Sequence, residues 1–114
     1  MRAVLSGYAS LFGEPDLSGD VVHAGAFAAS LQRRTTALPL LVGHNPAARA
    51  GSWQVVREDG RGLWVEGLVE AHWPGAGLAA RLLGQGTDGL SIGYTTRRAR
   101  PRPEGGRTLL VIDL

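Results

Sequence analysis

Apolar and polar residues alternate most regularly in residues 63–71. Leu63, Val65 and Val69 fall on one side of an extended chain, and Glu66 falls on the other side. A period of two residues is typical of a strand that buries one face. The sequence therefore predicts a half-buried strand here.

Apolar runs with β-favouring residues predict further strands elsewhere in the chain. They cover residues 3–12, 38–42, 51–57, 90–97 and 107–114, with a short strand at 21–22. The Asp-Gly pair in segment 58–62 predicts a hairpin between the third and fourth of the main strands. Segments 13–20 and 98–106 are rich in turn-forming residues and predict a surface loop and a polar link.

Two segments have helical character. Phe27, Leu31 and Arg34 recur at helical spacing within the alanine-rich segment 24–34. Proline at the first turn of segment 73–83 predicts the start of a second helix there. We therefore predict one mainly β domain over residues 1–114. It would be a small antiparallel β-barrel or a curved sheet, with about two helices packed on it.

Composition excludes several classes of protein. The chain has 114 residues, 44% of them hydrophobic, and no cysteine, which excludes disulfides and thiolate chemistry. No apolar run approaches the roughly 20 residues of a membrane span, and no signal-peptide core follows the first residues. We therefore expect no membrane partner.

All 12 basic residues are arginine, and five of them fall within residues 97–107. They are Arg97, Arg98, Arg100, Arg102 and Arg107. Such a cluster leaves open a nucleic-acid-binding function. Because no aromatic residue is interleaved and prolines interrupt the cluster, we prefer a solvated hairpin to a nucleic-acid partner.

Two glycine motifs overlap in residues 84–93. Residues 84–89 read GQGTDG, which fits the dinucleotide pattern, and residues 89–93 read GLSIG, which fits the nucleophile elbow. Both motifs need a strand before them and a helix after them, whereas the predicted order here is helix and then strand. We reject both assignments and expect no cofactor.

Histidine and serine are the remaining candidates for chemistry. His44 directly follows an apolar strand at the start of a turn, whereas His23 and His72 lie at predicted helix starts. No His-x-x-x-His or Glu-x-x-His spacing occurs, so we expect no metal site. Ser91 lies two residues from a glycine on either side. Ser91 and His44 together indicate nucleophilic catalysis, but two residues are a weak signal.

Segments in order along the chain resemble the tailed-phage prohead protease family, which comprises capsid-maturation serine peptidases related in fold to herpesvirus assemblin. They are GYASLFG at 7–13, GDVV at 19–22 with GAF at 25–27 and SL at 30–31, PLL at 39–41 with His44, Pro46, Gly51 and Trp53, RGL at 61–63 with VEG at 65–67, and DGLSIGY at 88–94.

The resemblance implies a herpesvirus-protease-like fold with Ser91 as nucleophile and His44 as general base. Asp113 is the nearest acid to the region of the third catalytic residue, and backbone N–H groups near Arg97 and Arg98 are candidate oxyanion donors. The implied substrates are scaffold protein, major capsid protein and the protease itself. Cleavage would occur inside the assembling prohead in the bacterial host cytoplasm. The alternative is a catalytically silent assembly factor of the same fold.

The family's pattern continues past residue 114, so we expect the domain to be truncated at its C-terminus. A missing final strand would leave an open sheet edge. We therefore also expect self-association, in which a second copy fills that edge.

Overall fold

The computed structural model describes residues 2–16, 18–33, 38–84 and 95–113. The strands are β1 Arg2–Leu11, β2 Val21–Val22, β3 Leu38–Leu41, β4 Arg49–Glu58, β5 Gly62–Glu70, β6 Thr95–Pro101 and β7 Arg107–Asp113. The helices are α1 Ala28–Arg33 and α2 Ala76–Gly84, and two single 3-10 turns span Val42–His44 and Pro46–Ala48. The predicted mainly β fold with two helices is confirmed.

The strands form two sheets. The first is antiparallel with the order β1-β5-β4-β3, and the second has the order β2-β7-β6, with β2 parallel to β7. A bridge between Phe12 and Val22 joins the first sheet to the second. Among the described strands no pairing connects the outermost strands β3 and β6, so the two sheets are not closed. The barrel alternative is therefore wrong for the described part of the chain, which has two open sheets instead.

The core lies between these sheets and the helices. β5 contributes Leu63, Val65 and Val69, all at 0% exposure, which confirms the alternation seen in the sequence. Phe27, before α1, and Ile112, in β7, are also fully buried. Each such side chain stabilises the fold by roughly 1.5–3 kcal/mol relative to full exposure.

Helix α1 is shorter than predicted. The chain makes turns before it, with Ala26 N–H donating to His23 C=O and Ala28 N–H donating to Gly25 C=O. Gly25 has a φ of 89°, outside the helical region. The helix therefore begins at Ala28, and the predicted start at residue 24 is wrong.

The final hairpin is also tighter than predicted. β6 continues to Pro101, so the first four residues of the predicted link 98–106 belong to a strand. The turn is closed by Arg102 N–H donating to Gly106 C=O and Gly105 N–H donating to Arg102 C=O. These residues are polar because their side chains face solvent. Their backbone still forms a strand, because it pairs with β7.

The four-stranded sheet has two ends, which we name by their main features. Leu41 pairs with Arg49 and Arg2 pairs with Glu70 at the end that leads into His44, which we name the His44 end. Leu11, Glu58 and Gly62 lie at the opposite end, which we name the hairpin end. Because β4 has ten residues, about 30 Å separates the two ends.

The hairpin predicted from Asp-Gly forms as expected at the hairpin end. Asp59 Oδ1 accepts the N–H groups of Arg61 at 2.8 Å and Gly62 at 3.2 Å. Tyr8 donates its hydroxyl to Asp59 Oδ2 at 2.5 Å. One carboxylate therefore fixes both the turn and its contact with β1.

None of the helices in the described ranges is long and apolar enough to cross a membrane.

Candidate active site

His44 ends the turn that follows β3. It has a φ of 59° and is the one non-glycine residue with positive φ among residues 2–16, 18–33, 38–84 and 95–113. Gly43 before it has the same φ of 59°. Asn45 then closes the turn, donating its N–H to Val42 C=O at 3.1 Å and accepting the N–H of Ala47 on its side chain at 3.0 Å. A left-handed conformation costs a residue with a side chain roughly 1–3 kcal/mol and is common at functional sites.

Exposure does not distinguish the three histidines, because all three are exposed. The His23 Nδ1 atom is 2.7 Å from the backbone oxygen of Ala24, and the His72 ring is 4.8 Å from the Trp73 ring. These two contacts are local and need no backbone strain. The left-handed backbone therefore sets His44 apart from His23 and His72, and its role as general base stays a prediction.

Arg49 and Trp73 hold the start of β4 just after the His44 turn. The Arg49 side chain donates to Gly51 C=O at 3.0 Å and to Ser52 Oγ at 2.9 Å, and its guanidinium carbon lies 3.8 Å from the centre of the Trp73 ring. A cation over an indole face is attracted by about 0.5–2 kcal/mol. Gly75 N–H donates to Arg49 C=O at 2.6 Å, which ties the chain before α2 to the same point.

Sequence reasoning missed this contact, because Arg49 and Trp73 are far apart in the chain and belong to no motif. The predicted start of α2 at residue 73 is wrong. Ala76 N–H donates to Trp73 C=O in a turn, so the helix begins at Ala76 instead of residue 73. The Trp73 indole N–H is buried without a hydrogen-bond partner in the described part of the chain.

Ser91 lies outside the described residues, as does the whole stretch 85–94. β6 begins four residues after Ser91, at Thr95, and the backbone of Thr95 is paired with that of Asp113. Asp113 is therefore paired with the first described residue that follows Ser91 in the sequence.

The described contacts of this strand end lead towards α1. Ile112 N–H donates to Ala26 C=O at 2.9 Å, and Phe27 N–H donates to Glu58 Oε1 at 2.8 Å. A contact between Asp113 and His44 remains a prediction.

Two of the five clustered arginines are bound to the loop 13–20. Arg107 forms an ion pair with Asp20 at 2.9 Å, and this guanidinium lowers the pKa of the Asp20 carboxyl. Arg102 donates to the backbone oxygen of Gly19 and lies 3.7 Å from Glu104. Arg97, Arg98 and Arg100 are exposed on β6. These contacts agree with a solvated hairpin, and the expectation of no nucleic-acid partner remains a prediction.

Among the described residues, no three histidine or carboxylate side chains come close enough together to hold a metal ion.

The comparisons with known proteins bear on the whole chain. The chain is 30% identical over 99 residues to the prohead protease of Enterobacteria phage HK97, and the aligned part covers 85% of this chain and 44% of that protein. The chain therefore spans less than half the length of this relative. No solved structure matches it, so the predicted likeness to herpesvirus proteases is not confirmed. The family described as Caudovirus prohead serine protease matches residues 1–114. Because that match covers the complete sequence, the chain belongs to the Caudovirus prohead serine protease family.

Proposed function

We propose that the chain is a serine endopeptidase of prohead maturation, with Ser91 as nucleophile and His44 as general base. The observation that carries this proposal is the His44 turn. Its histidine is exposed and held in a left-handed backbone conformation, at the position that matches the family's histidine segment. Strain of this kind persists only where the surrounding structure imposes it.

The proposed reaction is acyl transfer. His44 takes the proton of the Ser91 hydroxyl, and the serine oxygen attacks the scissile carbonyl to form a tetrahedral intermediate. His44 then gives the proton to the leaving amine, and water hydrolyses the acyl-enzyme by the same steps. Asp113 is proposed to orient His44, and backbone N–H groups near Arg97 and Arg98 are proposed to stabilise the oxyanion.

The proposed substrates are the scaffold protein and the major capsid protein, together with the protease itself. This part rests on the family to which the chain belongs and on the name of its phage relative. Cleavage would take place inside the assembling prohead in the bacterial host. Self-association of the domain belongs to the same proposal.

The test is co-expression with candidate scaffold and major capsid proteins, followed by mass spectrometry of the products. We expect defined cleavage products with the wild-type chain and with His23→Gln, and none with Ser91→Ala. If wild type and Ser91→Ala give the same uncut proteins while the chain still co-purifies with them, the alternative of a silent assembly factor replaces the peptidase. If Ser91→Ala cuts at the wild-type rate, Ser91 is not the nucleophile.

A further inference from the structure

β1 is an edge strand of the four-stranded sheet. One side pairs with β5, and the described contact on the other side is the Phe12–Val22 bridge, just beyond the end of the strand. β1 has one charged residue, Arg2 at its start, no proline, and one register irregularity, between Tyr8 and Ser10, and Val4 is 77% exposed. Free backbone N–H and C=O groups on such an edge are a template for another extended chain.

The open edge of β6 is different. It carries Arg97, Arg98 and Arg100, ends in Pro101 and has two irregularities in its register with β7. Charge, proline and bulges are the features by which proteins prevent unwanted strand pairing. Between Ala3 and Tyr8, β1 has no charge, no proline and no register irregularity, so this part of its edge is available for pairing.

A cavity of about 360 Å³ lies at the hairpin end of β1. Its apolar lining includes Leu11, Val22 and Phe27, and its polar lining includes Glu14 and Asp16. A pocket beside an open strand edge is the usual arrangement for recognising an extended peptide. The edge binds the main chain, and the pocket selects a side chain.

The carboxylates decide which side chain the cavity fits. Asp20 also lines it but is already paired with Arg107. Asp16 uses Oδ1 to accept the N–H groups of Ser18 at 2.8 Å and Asp20 at 2.9 Å. The described contacts give neither Glu14 nor Asp16 a cationic partner, so their negative charge faces the cavity uncompensated.

The Gly19 end of the loop that carries these acids is held against the β6–β7 turn. Gly106 packs so closely on Gly19 that a Cβ atom on Gly106 would lie 2.2 Å from the Gly19 carbonyl oxygen. Arg102 also donates to that oxygen. A preformed loop loses little entropy when a ligand binds.

We propose that the β1 edge and this cavity form a docking site for an extended segment of the substrate polypeptide that carries an arginine or lysine. The main chain of the segment pairs with β1 as an added strand. The aliphatic part of its arginine or lysine side chain lies on the apolar lining, and the charged end of that side chain pairs with Glu14 and Asp16. The identification of the ligand as substrate rests on the proposed peptidase function.

The position of the cavity separates docking from cleavage. It lies at the hairpin end, on the order of 25 Å from the His44 end along the sheet. An extended chain covers at most about 3.3–3.6 Å per residue, so at least about seven residues separate the docked cation from the scissile bond. The site therefore selects the polypeptide at a distance and does not define the residue beside the cut.

The experiment measures binding without cleavage. The probe is a fluorescent nonapeptide of alternating threonine and valine with one central arginine, titrated into the Ser91→Ala chain by anisotropy. We expect saturable binding, weakened at least tenfold when citrulline replaces arginine and also when the chain carries Glu14→Gln with Asp16→Asn. Asp16→Asn keeps the Oδ1 acceptor that holds the loop. Glu70→Gln, which removes an acid at the opposite end of the sheet, is the matched control and should leave the affinity unchanged.

A second probe tests the strand edge. N-methylation of alternate residues removes main-chain donors without changing side-chain charge, and one of the two methylated registers should lose binding. Equal affinity for the arginine and citrulline peptides overturns the cavity as a cation site. Equal affinity for both methylated peptides and the parent overturns strand addition. Absence of binding to the parent peptide overturns the whole proposal.

Sedimentation of the chain alone tests whether a second copy of the chain, instead of a substrate peptide, occupies the β1 edge. A dimer that dissociates on Val4→Lys, but not on Ala99→Lys in β6, would mean that a second copy occupies the β1 edge, and would overturn the peptide proposal. Failure of the peptidase is distinguishable. Peptide binding with no cleavage of capsid proteins sinks the proposed function and leaves the docking site. Cleavage at the same rate in wild type and in the chain with Glu14→Gln and Asp16→Asn overturns the docking site and leaves the proposed function.

Discussion

The two ends of the four-stranded sheet are built on opposite principles. At the His44 end, two successive residues adopt left-handed conformations, and an indole N–H is buried without a partner in the described part of the chain. At the hairpin end, the Asp59 carboxylate accepts three hydrogen bonds, and Glu58 accepts the N–H of Phe27.

The difference indicates where the molecule bears strain and where it gains stability. Proteins that depart from favourable local geometry do so mostly at functional sites, and other regions compensate. The hairpin end compensates here, because its polar groups are satisfied and its strands are in tight contact. Substitutions at the two ends should therefore separate activity from stability.

The largest expected effect is on activity at the His44 end. His44→Gln should lower kcat for capsid cleavage at least about 10³-fold, because a serine hydrolase loses its general base. Thermal unfolding should be nearly unchanged. Asp59→Ala at the hairpin end should show the reverse, with a lower Tm and an unchanged kcat for the folded fraction. Equal loss of kcat in His72→Gln would remove the distinction between the histidines.

The second effect is on stability at the hairpin end. A Cβ atom on Gly62 would lie 1.9 Å from the carbonyl oxygen of Ser10, so Gly62→Ala must push β1 away from β5. We expect a loss of about 1–3 kcal/mol or more in the free energy of unfolding, measured with urea. Gly60→Ala is the matched control, since nothing lies within 4 Å of its Cβ position. Equal losses in the two variants would mean that the close contact between β1 and β5 is not what limits stability.

The third effect is a dependence on pH. Hydrogen bonds from Arg107 lower the pKa of Asp20, and the hydroxyl of Tyr8 lowers the pKa of Asp59. Carboxyls with a lowered pKa in the folded state stabilise it above their unfolded pKa of about 4, and this stabilisation is lost as the pH falls through the lower folded value. The Tm should therefore decrease as the pH is lowered below about 4, and this decrease should be smaller in Asp20→Asn. A Tm of Asp20→Asn that falls as steeply as that of wild type would rule out this linkage.

The smallest effect is expected at an exposed ion pair. Arg102 and Glu104 are 3.7 Å apart, and the Glu104 side chain is 70% exposed. Glu104→Gln should change the free energy of unfolding by no more than about 0.5 kcal/mol, because solvent screens such pairs. A larger change in chemical denaturation would show that the β6–β7 turn contributes more to the fold than its exposure indicates.

The sequence could predict the parts of the fold that depend on local pattern. The alternation from Leu63 to Val69 identified β5, and Asp59-Gly60 identified its hairpin, because strand periodicity and turn chemistry are written in consecutive residues. The apolar strand before His44 predicted a turn that starts at the histidine, whereas the observed turn spans Val42–His44 and ends there. The left-handed backbone of His44 could not be predicted, since neighbouring elements impose it.

Features that depend on distant contacts were missed for the same reason. The pairing of Arg98 to Pro101 with β7 turned a predicted link into a strand. The position of Arg49 over Trp73 joins two parts of the chain that no motif connects. The sequence can name the candidate residues of the site. The contacts that hold the chain around them can be found only in the folded structure.

The contact between Gly19 and Gly106 constrains how this loop and hairpin can change through descent. A side chain on Gly106 would strike the Gly19 carbonyl oxygen, and Gly19 itself has a φ of 81° that favours glycine. Neither glycine can therefore be replaced by another residue while the loop keeps its position. Among homologues, we expect the two glycines to be inherited together or to be lost together, with loss accompanied by insertions or deletions in the loop. Lineages that lose the pair should then differ in the acids that the loop presents, so the history of two glycines would record changes in what the neighbouring cavity recognises.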